Sequence, residues 1–441
     1  MTQKSAQPGD TIEITYEGKT LKGMLMPRVH ALSQDIVVLK LDNGYNVGIA
    51  QKRISTTKVV SKYVQPKNTS SKKVSSQKLP KVAVLSFGGT ISSKIDYRTG
   101  GVFANYTAED FVAMAPELEK TADIEAVHVM SEMSEDMSYE GWKKIAETVH
   151  AYVARDDIAG VVATVGTDTL HYITSAVSFF LNDLNKPVIF TASQRSIDRG
   201  SSDAFMNLAC SVHAAASFDG AVVASCMHAT THDDYCFLIR GTKVRKMHTS
   251  RRDAFRAINE KPLAKVFPDG KIEVINNNYT KRSNSKCTVD TRFEEKIAIV
   301  LAYPGQDSGI IDYYVNKGSK GIVIAGTALG HVITKGKYSL LEGISRAVKK
   351  GIPVIISTQT IYGRTHPHVY TNLRKLSLGA GCIYSEDMLL ETAYVKLGWV
   401  LAHVSSKKKQ TSEFMKEISK QMLTNMRGEI NERHTVDDFL N

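Results

Sequence analysis

Cysteine is scarce in this sequence of 441 residues. The five present, Cys210, Cys226, Cys236, Cys287 and Cys382, are an odd number with no C-x-x-C spacing. That pattern excludes a disulfide framework and a structural zinc site, and it points to a reducing cytoplasm. Long apolar runs are absent as well. None approaches the ~18 residues of a membrane span, and MTQKSAQPGD has no apolar stretch after its lysine, so no secretory signal is expected. No metal cluster stands out among the 13 histidines. His366 and His368, one residue apart in a Pro-containing loop, are too weak a pair for a ligand assignment.

What is present describes a packed protein. Hydrophobic residues make up 42% and charged residues 23%, which rules out wholesale disorder. The length fits about three domains. The charge is uneven. Residues 1–80 hold 13 Lys or Arg against 5 Asp or Glu, a net +8 of the total +11, which leaves +3 for the other 361 residues. A basic N-terminal end fits either phosphate contacts with nucleic acid or a solvated linker.

Residues 1–66 read as a small β-barrel. TIEITYEG, TLKGMLMPR, DIVVLKLDNG and NVGIAQKRI alternate apolar and polar residues, and Glu17-Gly18 and Asn43-Gly44 supply turns. KNTSSKKVSSQKLP, residues 67–80, is a basic Ser/Lys-rich linker. From Lys81 the pattern becomes α/β. Nearly continuous apolar runs (VAVLSF, GVVATVG, PVIFTAS, GAVVAS) alternate with amphipathic stretches such as SYEGWKKIAETVHAYVAR and TDTLHYITSAVSFFLNDL. This predicts a doubly wound parallel sheet over residues 81–275. A polar connector covers 276–295. A second α/β lobe, 296–441, carries IAIVLAYPG, GIVIAGTALG and PVIISTQT and ends in a helical tail from Glu413 to Met426.

Ligands of open α/β sheets bind beyond the carboxyl ends of the strands. There the sequence places Gly88-Gly89-Thr90, Gly166-Thr167-Asp168-Thr169 and Ala192-Ser193-Gln194-Arg195. No phosphate-binding glycine motif accompanies them, so nucleotide binding is not supported. Thr167 followed by an acid is also ordinary helix capping, and Thr90 after two glycines is also a tight turn. A hydroxyl beside glycines can instead act as a nucleophile if a base is near. The segment RGTKVRKMHTSRRDAF offers Lys243 and Lys246, either of which could take a proton once desolvated, or simply grip phosphate or solvent.

FGGTISS at 87–93, SEDM at 134–137, VGTDTL at 165–170 and TASQR at 191–195, with Lys246 nine residues before Phe255, resemble the L-asparaginase/glutaminase family. The added N-terminal unit and RGTKVRKMHTSRRDAFRAIN resemble the D subunits of archaeal glutamyl-tRNA(Gln) amidotransferases. The resemblance implies a two-lobed asparaginase-like core that releases ammonia from glutamine. A partner protein of that complex, GatE, binds tRNA(Gln) and uses ATP and magnesium; no cofactor is implied for this chain. A homodimer is implied, and no membrane partner.

By position the resemblance makes Thr90 the nucleophile in a mobile loop, and Thr167, Asp168 and Lys246 a second catalytic cluster. Ser134 and Glu135 fall where the family holds the substrate's α-carboxylate and α-amino groups, although Glu135 replaces a common Gln. Gly89 and the backbone near Thr167 match the oxyanion site, and Tyr97 is the candidate loop tyrosine. His331 stands near a position where bacterial enzymes often carry Asn. A free-standing asparaginase or glutaminase with an accessory domain, and a basic RNA-binding protein with an inactive core, are the rival readings.

Overall fold

The computed structural model describes residues 6–26, 35–41, 46–62, 79–89, 93–95, 102–104, 118, 120–197, 201–404 and 410–439. Near the N-terminus five short strands, β1 (Thr11–Tyr16), β2 (Lys19–Leu25), β3 (Ile36–Lys40), β4 (Asn46–Ala50) and β5 (Ile54–Ser61), form an antiparallel sheet in the order β4-β3-β2-β1-β5. The alternation in the sequence sets its core. Ile12, Ile14, Leu39 and Ile49 are buried together on one face. Glu17 and Gly18 both take positive φ, 45° and 75°, the signature of a two-residue hairpin turn that matches strand twist. Asn43-Gly44 lies outside the described residues.

The first α/β lobe is built on β6 (Lys81–Gly88), β9 (Asp123–Glu132), β10 (Ile158–Thr164), β12 (Val188–Thr191) and β13 (Val223–His228), all parallel. Antiparallel β14 (Cys236–Arg240), β17 (Ala264–Val266) and β18 (Ile272–Val274) extend one edge, giving the order β18-β17-β14-β13-β12-β10-β6-β9. Short β7 (Ser93–Ile95) and β8 (Val102–Ala104) pair with each other. Helices Tyr139–Val153, Leu170–Phe180 and Ala204–Ser217 connect the parallel strands. Trp142, Ile145, Ala146, Val149 and Val153 line the buried stripe of the first, at helical spacing.

β6 enters the sheet, β9 is added on one side and β10 on the other. The order therefore reverses between β6 and β10, which makes their carboxyl ends the switch point where a crevice must open. The apolar run of the second helix continues to Leu184 in the sequence, yet the helix stops at Phe180. Leu181 and Asn182 form β11, paired with β19 (Thr288–Val289), and Asp183 turns the chain at φ 50°.

The second lobe is a four-stranded parallel sheet of β20 (Ile297–Leu301), β21 (Gly321–Gly326), β22 (Val354–Thr358) and β23 (Ile383–Tyr384). The polar stretch before it is anchored through Phe293, which stacks on Tyr139 at 5.5 Å and meets Trp142 edge-on at 5.8 Å. Helices Leu390–His403 and Thr411–Leu423 cover one face. No helix is long and apolar enough to cross a membrane among the described residues.

Candidate active site

Three glycines bring the strand ends together. Gly88 and Gly89 have φ of 109° and 82°; a β-carbon on Gly88 would lie 2.4 Å from Glu132 O, and one on Gly89 2.3 Å from Gly166 N. A β-carbon on Gly166 would in turn meet Ser134 Oγ at 2.6 Å. Only glycine allows the ends of β6, β9 and β10 to close to this spacing. Gly89 is thereby packed directly on the backbone that precedes Thr167.

The turn 167–169 is held by Ser134. Its buried Oγ accepts from Asp168 N at 3.2 Å and Thr169 N at 3.4 Å, while Thr169 Oγ1 donates to Ser134 O at 2.6 Å. Thr169, not Thr167, is the N-cap residue of the helix that starts at Leu170. The Thr167 hydroxyl is thus released from capping.

Lys246 reaches that hydroxyl from another element. It ends β15 (Val244–Lys246), whose hairpin partner is β16 (Phe255–Ala257), and Lys246 pairs across the hairpin with Phe255. The nine-residue spacing seen in the sequence is therefore a cross-strand register. Lys246 Nζ donates to Thr167 Oγ1 at 2.9 Å and to Asp168 Oδ1 at 2.6 Å, and Thr167 Oγ1 donates to the same carboxylate oxygen at 3.3 Å. Thr167 is buried, and the Lys246 side chain is 12% exposed against 59% for Asp168. The hydrogen bond from Lys246 holds the Asp168 carboxyl below its usual range, opposed by partial burial.

These groups open on a cleft of about 550 Å³ lined by Asp168, His171, Arg245, Lys246, Met247 and His248. Burial, reinforced by Arg245 and Lys246, pushes His171 down to about 3, so its imidazole is neutral. Arg245 is fastened to Glu391 of the second lobe. His248 Nδ1 accepts from Ser250 N and Arg251 N, both at 3.1 Å, and so shapes the hairpin tip.

The other candidates fall elsewhere. Lys243 is not at the cleft: its Nζ lies 2.6 Å from Asp387 Oδ2, with both side chains fully buried. Glu135 shares the Ser134 turn with an exposed side chain. His331 forms a bridge with Thr327 and packs edge-on against Tyr370 at 5.1 Å. Thr90 and Tyr97 lie outside the described residues. Sequence reasoning missed the Thr169–Ser134 latch and the lining roles of His171, Arg245 and His248. The only signal for the latch was the pairing of a turn serine with a hydroxyl after Gly166.

Three family models match the chain: Asparaginase, N-terminal, over residues 81–280; Glutaminase/Asparaginase C-terminal domain over 296–415; and GatD N-terminal domain over 6–60. The glutamyl-tRNA(Gln) amidotransferase GatD of Thermococcus kodakarensis is 46% identical over 438 residues, covering 98% of this chain and 96% of that protein. The GatD of Pyrococcus abyssi is 45% identical over 446 residues, covering 100% of this chain and 98% of its own. Among solved structures, the thermostable L-asparaginase from Thermococcus kodakarensis superposes with a TM-score of 0.70 at 28% identity. It covers 80% of this chain and 100% of that one.

Proposed function

The chain belongs to the GatD family of glutamyl-tRNA(Gln) amidotransferases, and from that premise we propose how its residues perform the glutaminase half of the reaction. The chain is an amidohydrolase within a ligase-class complex. It hydrolyses glutamine to glutamate and ammonia for the amidation of Glu-tRNA(Gln). The observation that carries this reading is the ammonium of Lys246, bonded at once to Thr167 and Asp168 at a strand switch point.

In this reading Thr90 Oγ bonds to the amide carbon while the C–N bond breaks, and the hydroxyl proton leaves with the nitrogen as ammonia. Water then adds to the ester, restoring the Thr90 hydroxyl and releasing glutamate. Thr167, Lys246 and Asp168 act as a unit that moves protons beside the reacting carbon. Asp168 Oδ1 is taken by Lys246, and the exposed remainder of the carboxylate is the partner for the substrate's α-ammonium group. Ser134 Oγ already accepts two backbone bonds, which leaves its O–H to donate to the α-carboxylate. Glu135 joins Ser134 in holding the substrate's α-groups, Tyr97 is the candidate loop tyrosine that polarises the nucleophile, and Gly89 contributes its close backbone approach.

The partner is GatE, which takes the ammonia and uses ATP and magnesium on tRNA(Gln). This chain carries no cofactor of its own and pairs with a second copy of itself. Co-purification with GatE, followed by an assay of glutamine-dependent Gln-tRNA formation, tests the assignment. A chain that hydrolyses glutamine but neither binds GatE nor supports amidation would instead be a free-standing glutaminase.

A further inference from the structure

A second polar cavity of about 510 Å³ lies away from the catalytic cleft, where the C-terminal tail crosses the first lobe. Its wall includes Arg240, Asn278, Thr280, Asn425, Arg427 and Gly428. The tail residues 425–428 lie beyond the stretch matched by either asparaginase model, whereas the rest of the wall lies within the first, so the tail closes this cavity onto the common core.

Arg240, at the end of β14, is 7% exposed. Its Nε donates to Glu260, at 3.1 and 3.3 Å to the two carboxylate oxygens, and Nη2 donates to Asn278 O. A guanidinium has five N–H donors. Nη1 takes no protein partner among the described residues, and one Nη2 hydrogen is also left. The outer edge of the fork is thus unspent on a nearly buried cation. Gly428, at φ 73°, lies flat against it: a β-carbon there would sit 2.5 Å from Nη1. A side chain at 428 would displace the guanidinium. Arg427 adds a second positive charge, with one donor on each of its three nitrogens given to Ser178 O, Asn182 Oδ1 and Met426 O. The opposing carboxylates are Glu260 beside Arg240, Glu429 beside Arg427 and Asp183 on the rim.

We propose that this cavity is a binding site for a small oxyanion, a carboxylate or a phosphate, held end-on by the free edge of Arg240. Two parallel N–H donors match two oxygens of either group, which a lysine cannot reproduce. The segment leaving Arg240 runs through Lys243 to Lys246, so an occupant would lie on the same backbone that carries the catalytic lysine.

Titration calorimetry of the full chain in a zwitterionic buffer, with inorganic phosphate and separately with acetate, tests this. The expected result is saturable one-to-one binding of at least one anion, weakened ~10-fold or more by Arg240→Lys, which keeps the charge opposite Glu260 but loses the fork. Gly428→Ala keeps both Arg240 and Glu260 but presses a β-carbon onto Nη1, and should weaken binding as much; it serves if the first variant does not fold. Phosphate binding without acetate binding identifies the ligand as a phosphate, and the reverse as a carboxylate. No saturable binding of either anion by the unaltered chain, or equal affinity in a folded variant, overturns the proposal.

Discussion

At the scale of single residues, two lysines three positions apart do opposite jobs. Lys246 is bonded to an exposed carboxylate at the cleft, whereas Lys243 is sealed against Asp387. Lys246→Met should therefore leave thermal stability nearly unchanged and lower glutaminase activity by ~10²-fold or more. Lys243→Met removes the buried ion-pair partner of Asp387, which keeps its hydrogen bonds to Asn431 and His434, and should cost about 3 kcal/mol of stability. Melting temperature and kcat/KM measured on both variants check the pair. If Lys246 and Thr167 form one unit, Lys246→Met and Thr167→Val should be non-additive in kcat/KM. Simple multiplication of the two losses would separate them. Lys246 was legible in the sequence because its distance from Phe255 is a hairpin register. Lys243 was not, because its partner lies 144 residues away and only packing of the second lobe brings Asp387 to it.

Among the elements, strand identity was the most legible feature, since β6, β10, β12 and β13 are buried on both faces and read as unbroken apolar runs. Helix ends were less so. Leu181 and Asn182 fit the helical pattern, but pairing with Thr288–Val289 and the turn at Asp183 win. At the edge opposite the cleft, β6 and β9 are clamped at their starts. Arg155 forms a two-bond fork with Glu125 at 2.8 Å, and Lys81 reaches Glu125 at 2.9 Å and Asp157 at 3.0 Å. Chiefly through Arg155, the Glu125 pKa is lowered to about 2. A lowered carboxylate stabilises the fold above its unfolded value, and that contribution is lost as pH falls from about 4.5 towards about 2. Because the cluster is partly exposed, Glu125→Gln should cost about 1 kcal/mol at neutral pH. The difference in denaturation midpoint should close below about pH 2; a gap that stays constant across that window would mean the loss is one of packing.

For the whole molecule, the basic N-terminal unit and the tail frame a hydrolase core. A chain beginning near Lys78 keeps β6 and the whole Thr167–Lys246–Asp168 cluster, and is expected to stay soluble and to hydrolyse glutamine. Amidation of tRNA in the amidotransferase complex should fall. Ammonium chloride separates a delivery failure, which it rescues, from an assembly failure, which it does not. Undiminished glutamine-dependent amidation would remove the coupling role from the N-terminal unit. The central claim, that the cluster around Lys246 supplies ammonia for tRNA amidation, is tested most directly in the complete complex carrying Lys246→Met. Gln-tRNA formation is measured once with glutamine and once with ammonium chloride as the nitrogen source. The account predicts a loss of ~10²-fold or more with glutamine and an unchanged rate with ammonium chloride. A glutamine-dependent rate within a few-fold of the unaltered complex would contradict it.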